Sequence, residues 1–331
     1  MTEEVAYEDR VRKELEIFTQ NVNVHALPDS HAYWLNKYIN PMLNQLGVKS
    51  HLEFYSKNII ASLPTQEAHC EVISLGAGDC DVELQIVEQL VKGGITNLNF
   101  TCLELNESVI ERGQKKAREM GLEQYMSFEV ANINDWQAVD SYSSVIAHHS
   151  LHHFLELEQI FDQIKVALKP GGKFITIDMI GRNGHQRWPE ALEIVQQHWH
   201  ELPLTYRYNL QLQRQEDTFL DWDCSTESFE GIRSQDILPL LIERFHFEEF
   251  LAFGNVIMPF VDRSFGHHFD MDTAWDTDFI ERLHHVDEQG FASGQLTPNI
   301  MFAAMTSTAT DKSVHVRGLS PKQCVRTTTK D

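Results

Sequence analysis

The run VISLGAGDCD, Val72 to Asp81, constrains what this chain can fold into more than any other segment. Apolar Val72, Ile73 and Leu75 suit a buried strand, while Gly76 and Gly78 permit a tight turn and close backbone approach to a ligand. Asp79, Cys80 and Asp81 then lie at the entry to a helix, where Val82 to Leu90 places Ile86 and Leu90 four residues apart. By itself such a turn is also compatible with a purely structural role.

The strand, turn and helix begin a repeating pattern. Leu98 to Leu105 is a second strand, Glu107 to Met120 a helix, Met126 to Val130 a third strand, Ser144 to Ala147 a fourth and Leu155 to Leu168 a helix. Lys169 to Gly172 turns the chain into a fifth strand, Lys173 to Met179, and Phe245 to Phe253 and Asn299 to Met305 supply two more. This alternation predicts an α/β protein with a Rossmann-like, mostly parallel seven-stranded sheet covered on both faces. Residues 1–65 read as a helical N-terminal cover, in which Trp34 and Tyr38 share one stripe. Residues 66–306 form the core, with an inserted cap at about 182–298. The Ser-, Thr- and Lys-containing stretch 307–331 reads as a disordered tail.

With 331 residues, 42% of them hydrophobic, the chain can bury one large core or two moderate ones. Lys and Arg number 27 against 49 for Asp and Glu, and a formal charge of -22 repels a phosphate backbone, so nucleic acid is not the expected partner. The opening MTEEVAYEDR has neither a basic nor an apolar leader region, and no stretch approaches the length of a membrane span. Cys70, Cys80, Cys102, Cys224 and Cys324 are scattered, odd in number and without a CxxC pair. These features predict a cytoplasmic protein that does not enter a membrane.

Glu104 ends the second strand, where a carboxylate can accept hydrogen bonds from both hydroxyls of a ribose. An acid there suits an NAD-dependent oxidoreductase or an adenosine-containing cofactor, and a non-catalytic cofactor-binding or scaffolding module is a third class. Asp81 stands where the third small residue of a dinucleotide fingerprint favours close pyrophosphate approach, which weakens the NAD alternative.

VISLGAGDCD, TCLELNESVIERGQKKAREMG, AHHSLHHF and ALKPGGKFITIDMIG, taken in this order over residues 70 to 181, resemble the class I S-adenosylmethionine-dependent methyltransferase family. The resemblance implies S-adenosyl-L-methionine as cofactor. It places Leu75, Gly76, Gly78 and Asp81 at the methionine end, Glu104 on the ribose, Leu105 and Ile133 against the adenine, Asn132 facing the adenine amino group, and Ala147 and His148 near the sulfonium. Cys80 departs from a commoner glycine, and Asn132 from a commoner aspartate.

His148, His149, His152 and His153 crowd together beyond the fourth strand. A hydroxyl acceptor benefits from an imidazole base near neutral pH, which makes His153 the first candidate and His149 its competitor. The resemblance assigns the cluster no metal. In the cap, Trp188, Tyr206, Arg207 and Arg263 are the candidate acceptor contacts, the arginines suiting a carboxylate or phosphate. The reaction expected is methyl transfer to a small molecule, at oxygen in preference to nitrogen.

Overall fold

A computed structural model describes residues 3–20, 27–226 and 228–327. The strands of the main sheet are β1 (Cys70–Leu75), β2 (Leu98–Glu104), β3 (Met126–Val130), β4 (Tyr142–His148), β5 (Leu168–Met179), β6 (His246–Phe253), β7 (Ile300–Thr306) and β8 (Val314–His315). They form one eight-stranded sheet in the order β8-β6-β7-β5-β4-β1-β2-β3. β1 to β5 pair in parallel, β7 runs antiparallel between β5 and β6, and β8 adds a parallel edge to β6. Because β1 lies between β2 and β4, successive crossovers leave in opposite directions and open a crevice at the carboxyl ends of β1 and β4.

The main helices are α1 (Glu3–Gln20), α2 (His51–Ala61), α3 (Asp81–Lys92), α4 (Glu107–Met120), α5 (Leu157–Ala167), α6 (Pro189–Trp199), α7 (Ser234–Arg244) and α8 (Ala274–Ser293). α4 shows how local sequence sets them. Asn106 caps its start by accepting from the Ser108 N–H at 3.1 Å, and Val109, Ile110, Gly113 and Ala117 form its buried stripe. Gly121, at φ 68°, then ends it in the left-handed conformation. Adjacent β1 residues point to opposite faces, so Val72 joins an apolar cluster with Phe54, Phe100 and Trp199, while Ile73 joins one with Phe161, Phe174 and Leu241.

The seven strands expected from sequence become eight, and the difference comes from the tail. Far from being disordered, residues 307–327 pack on the sheet edge: Val314 and His315 pair with β6, Val316 and Cys324 are buried, and Arg326 bonds Glu190 at 2.8 Å. Residues 328–331 lie outside the described residues. The span 182–298 is also not one continuous insertion. Core helix α7 and core strand β6 divide it, leaving cap segments 182–233 and 254–298.

In the N-terminal region, residues 29–46 form a helical run of mixed pitch. Trp34 is fully buried there, 5.8 Å ring to ring from Phe253, and Tyr38 stacks on His284 of α8 at 3.9 Å. Helix α1 takes a separate course over the crevice. Tyr7 Oη accepts from Asn132 at 2.9 Å, Arg10 donates to the carbonyls of Ser225 and Ser228, and Leu15 O accepts from Asn106. One helix thereby ties the loops after β2 and β3 to the cap. Among the described residues, no helix is long and apolar enough to cross a membrane.

Candidate active site

Two turns meet at the floor of the crevice. Gly76 and Gly78 take φ 72° and 55°, and the N–H groups of Gly76 and Ala77 donate to Leu103 O at 3.0 and 2.9 Å. A Cβ on Gly76 would lie 2.8 Å from Ser150 Cβ, so only glycine lets the turn after β1 touch the turn after β4. A Cβ on Gly78 would meet nothing within 4 Å, which leaves room for a ligand against the backbone there. Cys80 keeps the left-handed shape a glycine would give, at φ 62°, and its sulfur abuts Gly113 of α4.

Glu104 reaches across to this turn. One carboxylate oxygen accepts from Gly78 N at 3.0 Å and the other from Asn106 N at 2.9 Å. Burial raises its pKa, while these backbone donors favour the charged form. A carboxylate has about four lone-pair sites, so acceptor capacity remains for a ligand. Leu105 is half-buried beside it, and Ile133 and Ala147 are buried. Tyr55 Oη lies 3.3 Å from Ala147 O and 3.1 Å from His148 Nδ1, anchoring the end of β4.

Two expected cofactor contacts are engaged elsewhere. Asp81 is turned to Lys116 of α4, which also holds Asp79 at 2.7 Å. Asn132 Oδ1 accepts from Asn134 N at 3.1 Å, and its amide donates to Tyr7 and to Asp135. The bond to Asn134 N is the local one an Asn makes at the start of a turn, and Oδ1 keeps a second lone pair.

The four histidines take distinct environments. His149 has the strained φ of 48° and is exposed where it borders the crevice. Desolvation by the surrounding groups lowers its pKa to about 4, against the opposing pull of Asp178. His31 is lowered to about 4, mainly by burial and then by the charges of His149 and Arg263. Arg263 Nε is buried without a hydrogen-bond partner among the described residues.

His153 is different. Its Nδ1 lies 2.7 Å from Glu14 of α1 and its Nε2 3.4 Å from Glu230. Burial opposes its charge, but Glu230 and Glu14 outweigh burial and raise its pKa, which suits a cation and not a base. His152 Nδ1 is 2.6 Å from Asp178 Oδ1, and Nε2 faces Glu230 at 3.5 Å. Asp178 itself is fully buried, accepting from the N–H groups of Ser150, Leu151 and Met179. It shapes the turn after β4 and does not face the acceptor side.

Of the cap residues expected to meet the acceptor, three are engaged elsewhere. Trp188 lies under the guanidinium groups of Arg182 and Arg326, Tyr206 bonds Asp276 at 3.2 Å, and Arg207 donates to the carbonyls of His200 and Leu202. Those contacts hold the cap together. Sequence alone missed His31, Glu14, His185 and Glu230. His185 Nε2 lies 2.6 Å from Glu230, and His152, His185 and Glu230 bring three potential metal-ligand atoms within 4.8 Å of one another.

Residues 66–237, just over half of the chain, match the family described as a methyltransferase domain. The chain belongs to the class I S-adenosylmethionine-dependent methyltransferases. This leaves the nicotinamide alternative without support. The ubiquinone/menaquinone biosynthesis C-methyltransferase UbiE of Rickettsia peacockii (strain Rustic) is 21% identical over 138 residues, which cover 41% of this chain and 54% of that protein. The match thus spans about half the length of that relative. A citrinin polyketide synthase of Monascus ruber is 23% identical over 155 residues, 46% of this chain and 6% of the synthase. Among solved structures, the geranyl diphosphate C-methyltransferase of Streptomyces coelicolor A3(2) aligns over 90% of this chain and 98% of its own, at 12% identity and a TM-score of 0.47. The mitomycin 7-O-methyltransferase MmcR aligns over 90% of this chain and 67% of its own, at 12% identity and a TM-score of 0.40. Likenesses at this level say nothing about the acceptor of this methyltransferase.

Proposed function

We propose that this methyltransferase transfers a methyl group from S-adenosylmethionine to a hydroxyl of a small molecule, with His149 as general base. Gly76 and Gly78 give the methionine end a close backbone wall, and Glu104, already aimed at the turn by Gly78 and Asn106, holds the ribose hydroxyls. Leu105 and Ile133 flank the adenine, and Ala147 and His148 border the sulfonium. The cofactor supplies a methyl group already activated as a sulfonium. What remains for the chain is to orient the acceptor, exclude water and remove the hydroxyl proton.

The observation that carries the assignment to oxygen is His149. It stands directly after β4 and is exposed at the crevice, where an uncharged imidazole can accept the hydroxyl proton. Arg263, whose Nε is buried without a hydrogen-bond partner among the described residues, supplies a polar contact for the acceptor. The test is a methyl-transfer assay with matched acceptors offering a hydroxyl, an amine or an activated carbon, with products assigned by mass and by the shift of the new methyl group. An O-methyl product that depends on His149 supports the assignment. Transfer confined to nitrogen or carbon rejects it.

A further inference from the structure

His152, His185 and Glu230 meet side by side although the cofactor contacts do not require them. We propose that they form a site for a first-row divalent transition ion, whose open coordination positions take an oxygen of the acceptor. The role given to the ion rests on the hydroxyl-acceptor assignment; its binding does not.

Three separate segments converge to make the cluster. His152 comes from the turn after β4, His185 from the loop after β5, and Glu230 from the first cap segment. Ligand atoms about 2.1 Å from a tetrahedral ion lie roughly 3.4 Å apart. His152 Nε2 and Glu230 Oε1 are already 3.5 Å apart and the three ligand atoms fall within 4.8 Å of one another, while the hydrogen-bonded pair His185 Nε2 and Glu230 Oε1, at 2.6 Å, must open by about 0.8 Å to admit an ion.

The support around the cluster is that of a built site. Asp178 engages His152 Nδ1, which fixes the tautomer and leaves Nε2 for the cluster, the carboxylate–histidine arrangement that orients metal ligands. His185 sits at φ 56° after Gly184 at φ 63°, and Gly184 N bonds Gly231 O at 2.8 Å, lacing the loop of His185 to the loop of Glu230. A Cβ on Gly184 would fall 1.9 Å from Asp223 Oδ1, so this strained path is specified by the sequence. His185 Nδ1 is buried without a partner among the described residues, and the ring is held through Nε2.

Charge and donor type select the ion. Metal binding requires His152 to release the proton on Nε2, and with both imidazoles then neutral the carboxylates of Glu230 and Asp178 offset a divalent charge. Two nitrogen donors and one oxygen donor favour Zn2+, Co2+ or Fe2+ over Mg2+ or Ca2+, which prefer oxygen alone. The side chain of His152 is 6% exposed and that of Glu230 36%, so the open coordination positions face the accessible side, where an acceptor hydroxyl bound to the ion becomes more acidic.

The full chain is stripped with a chelator, then titrated with Zn2+ by calorimetry and with Co2+ by visible absorption. We expect one ion per chain and Co2+ bands of four- or five-coordinate intensity. His185→Ala and the near-isosteric Glu230→Gln should weaken Zn2+ binding by roughly 100-fold or more, beyond what loss of a supporting partner causes. His198→Ala, on the outer helix α6, should bind as wild type. Retained S-adenosylhomocysteine affinity in each variant shows that the fold survives. Absence of saturable Zn2+ binding, or wild-type affinity in both variants, overturns the site. Transfer to a hydroxyl that persists unchanged after stripping overturns the ion's role and leaves the methyltransferase assignment standing.

Discussion

Asp178 Oδ1 lies 2.6 Å from His152 Nδ1, while its other oxygen accepts the backbone N–H groups of Ser150 and Leu151. One buried acid therefore sets both the shape of the turn after β4 and the orientation of an imidazole at its mouth. The turn in turn seats Ser150 Oγ on Leu75 O at 2.7 Å, connecting the acid to the glycine turn that follows β1.

Asp178→Asn keeps the size of the side chain but replaces one acceptor oxygen with an amide that must face either an N–H group or His152. A buried mismatch of this kind costs about 1–3 kcal/mol. Urea unfolding should show that loss of stability, and methyl transfer should fall with it. An unfolding midpoint equal to wild type contradicts the role assigned to Asp178.

His149 and His153 separate the two histidine roles. His149→Ala should lower the single-turnover methylation rate by roughly 10²–10⁴-fold at saturating cofactor and acceptor, with S-adenosylmethionine affinity nearly unchanged. His153→Ala, which removes a cation held by Glu14 and Glu230, should act mainly through the docking of α1 and raise the apparent KM for the cofactor. A larger loss of chemical rate in His153→Ala than in His149→Ala reverses the assignment.

Deletion of residues 1–20 removes the contacts of Tyr7, Arg10 and Glu14 across the crevice but leaves Trp34 in its buried place. The shortened protein should keep a cooperative melt within a few degrees of wild type and bind S-adenosylhomocysteine about tenfold more weakly or worse, since the cover over the loops of Asn106 and Asn132 is gone. Equal affinity, measured by calorimetry, shows that α1 is not part of the cofactor enclosure.

The parts legible in the sequence are those fixed by local pattern. The strand, glycine turn and helix around Gly76, the capped start of α4, and the acid at the end of β2 are each written within a few consecutive residues. The edge strand β8 was not legible because its polar composition reads as tail, and Val316, Pro321 and Cys324 reveal burial after the sheet is seen. Asp81 and Asn132 followed the family pattern, but Lys116 and Asn134 supply nearer partners. His185 and Glu230 stand 45 residues apart in loops with no motif, so only the folded chain brings them to 2.6 Å. The histidine run is legible in the sequence, while the carboxylates of Glu14 and Glu230 that face it come from α1 and the cap.

Binding at Glu104 tests the account most directly, because the cofactor crevice underlies every later step. S-adenosylhomocysteine should bind the wild-type chain at one site by calorimetry. Glu104→Ala should weaken that binding by about 2 kcal/mol or more, roughly 30-fold, through loss of charge-assisted bonds to the ribose hydroxyls. Circular dichroism and the melting transition establish whether the variant is folded. A folded Glu104→Ala chain that binds S-adenosylhomocysteine as tightly as wild type would contradict the placement of the cofactor in this crevice.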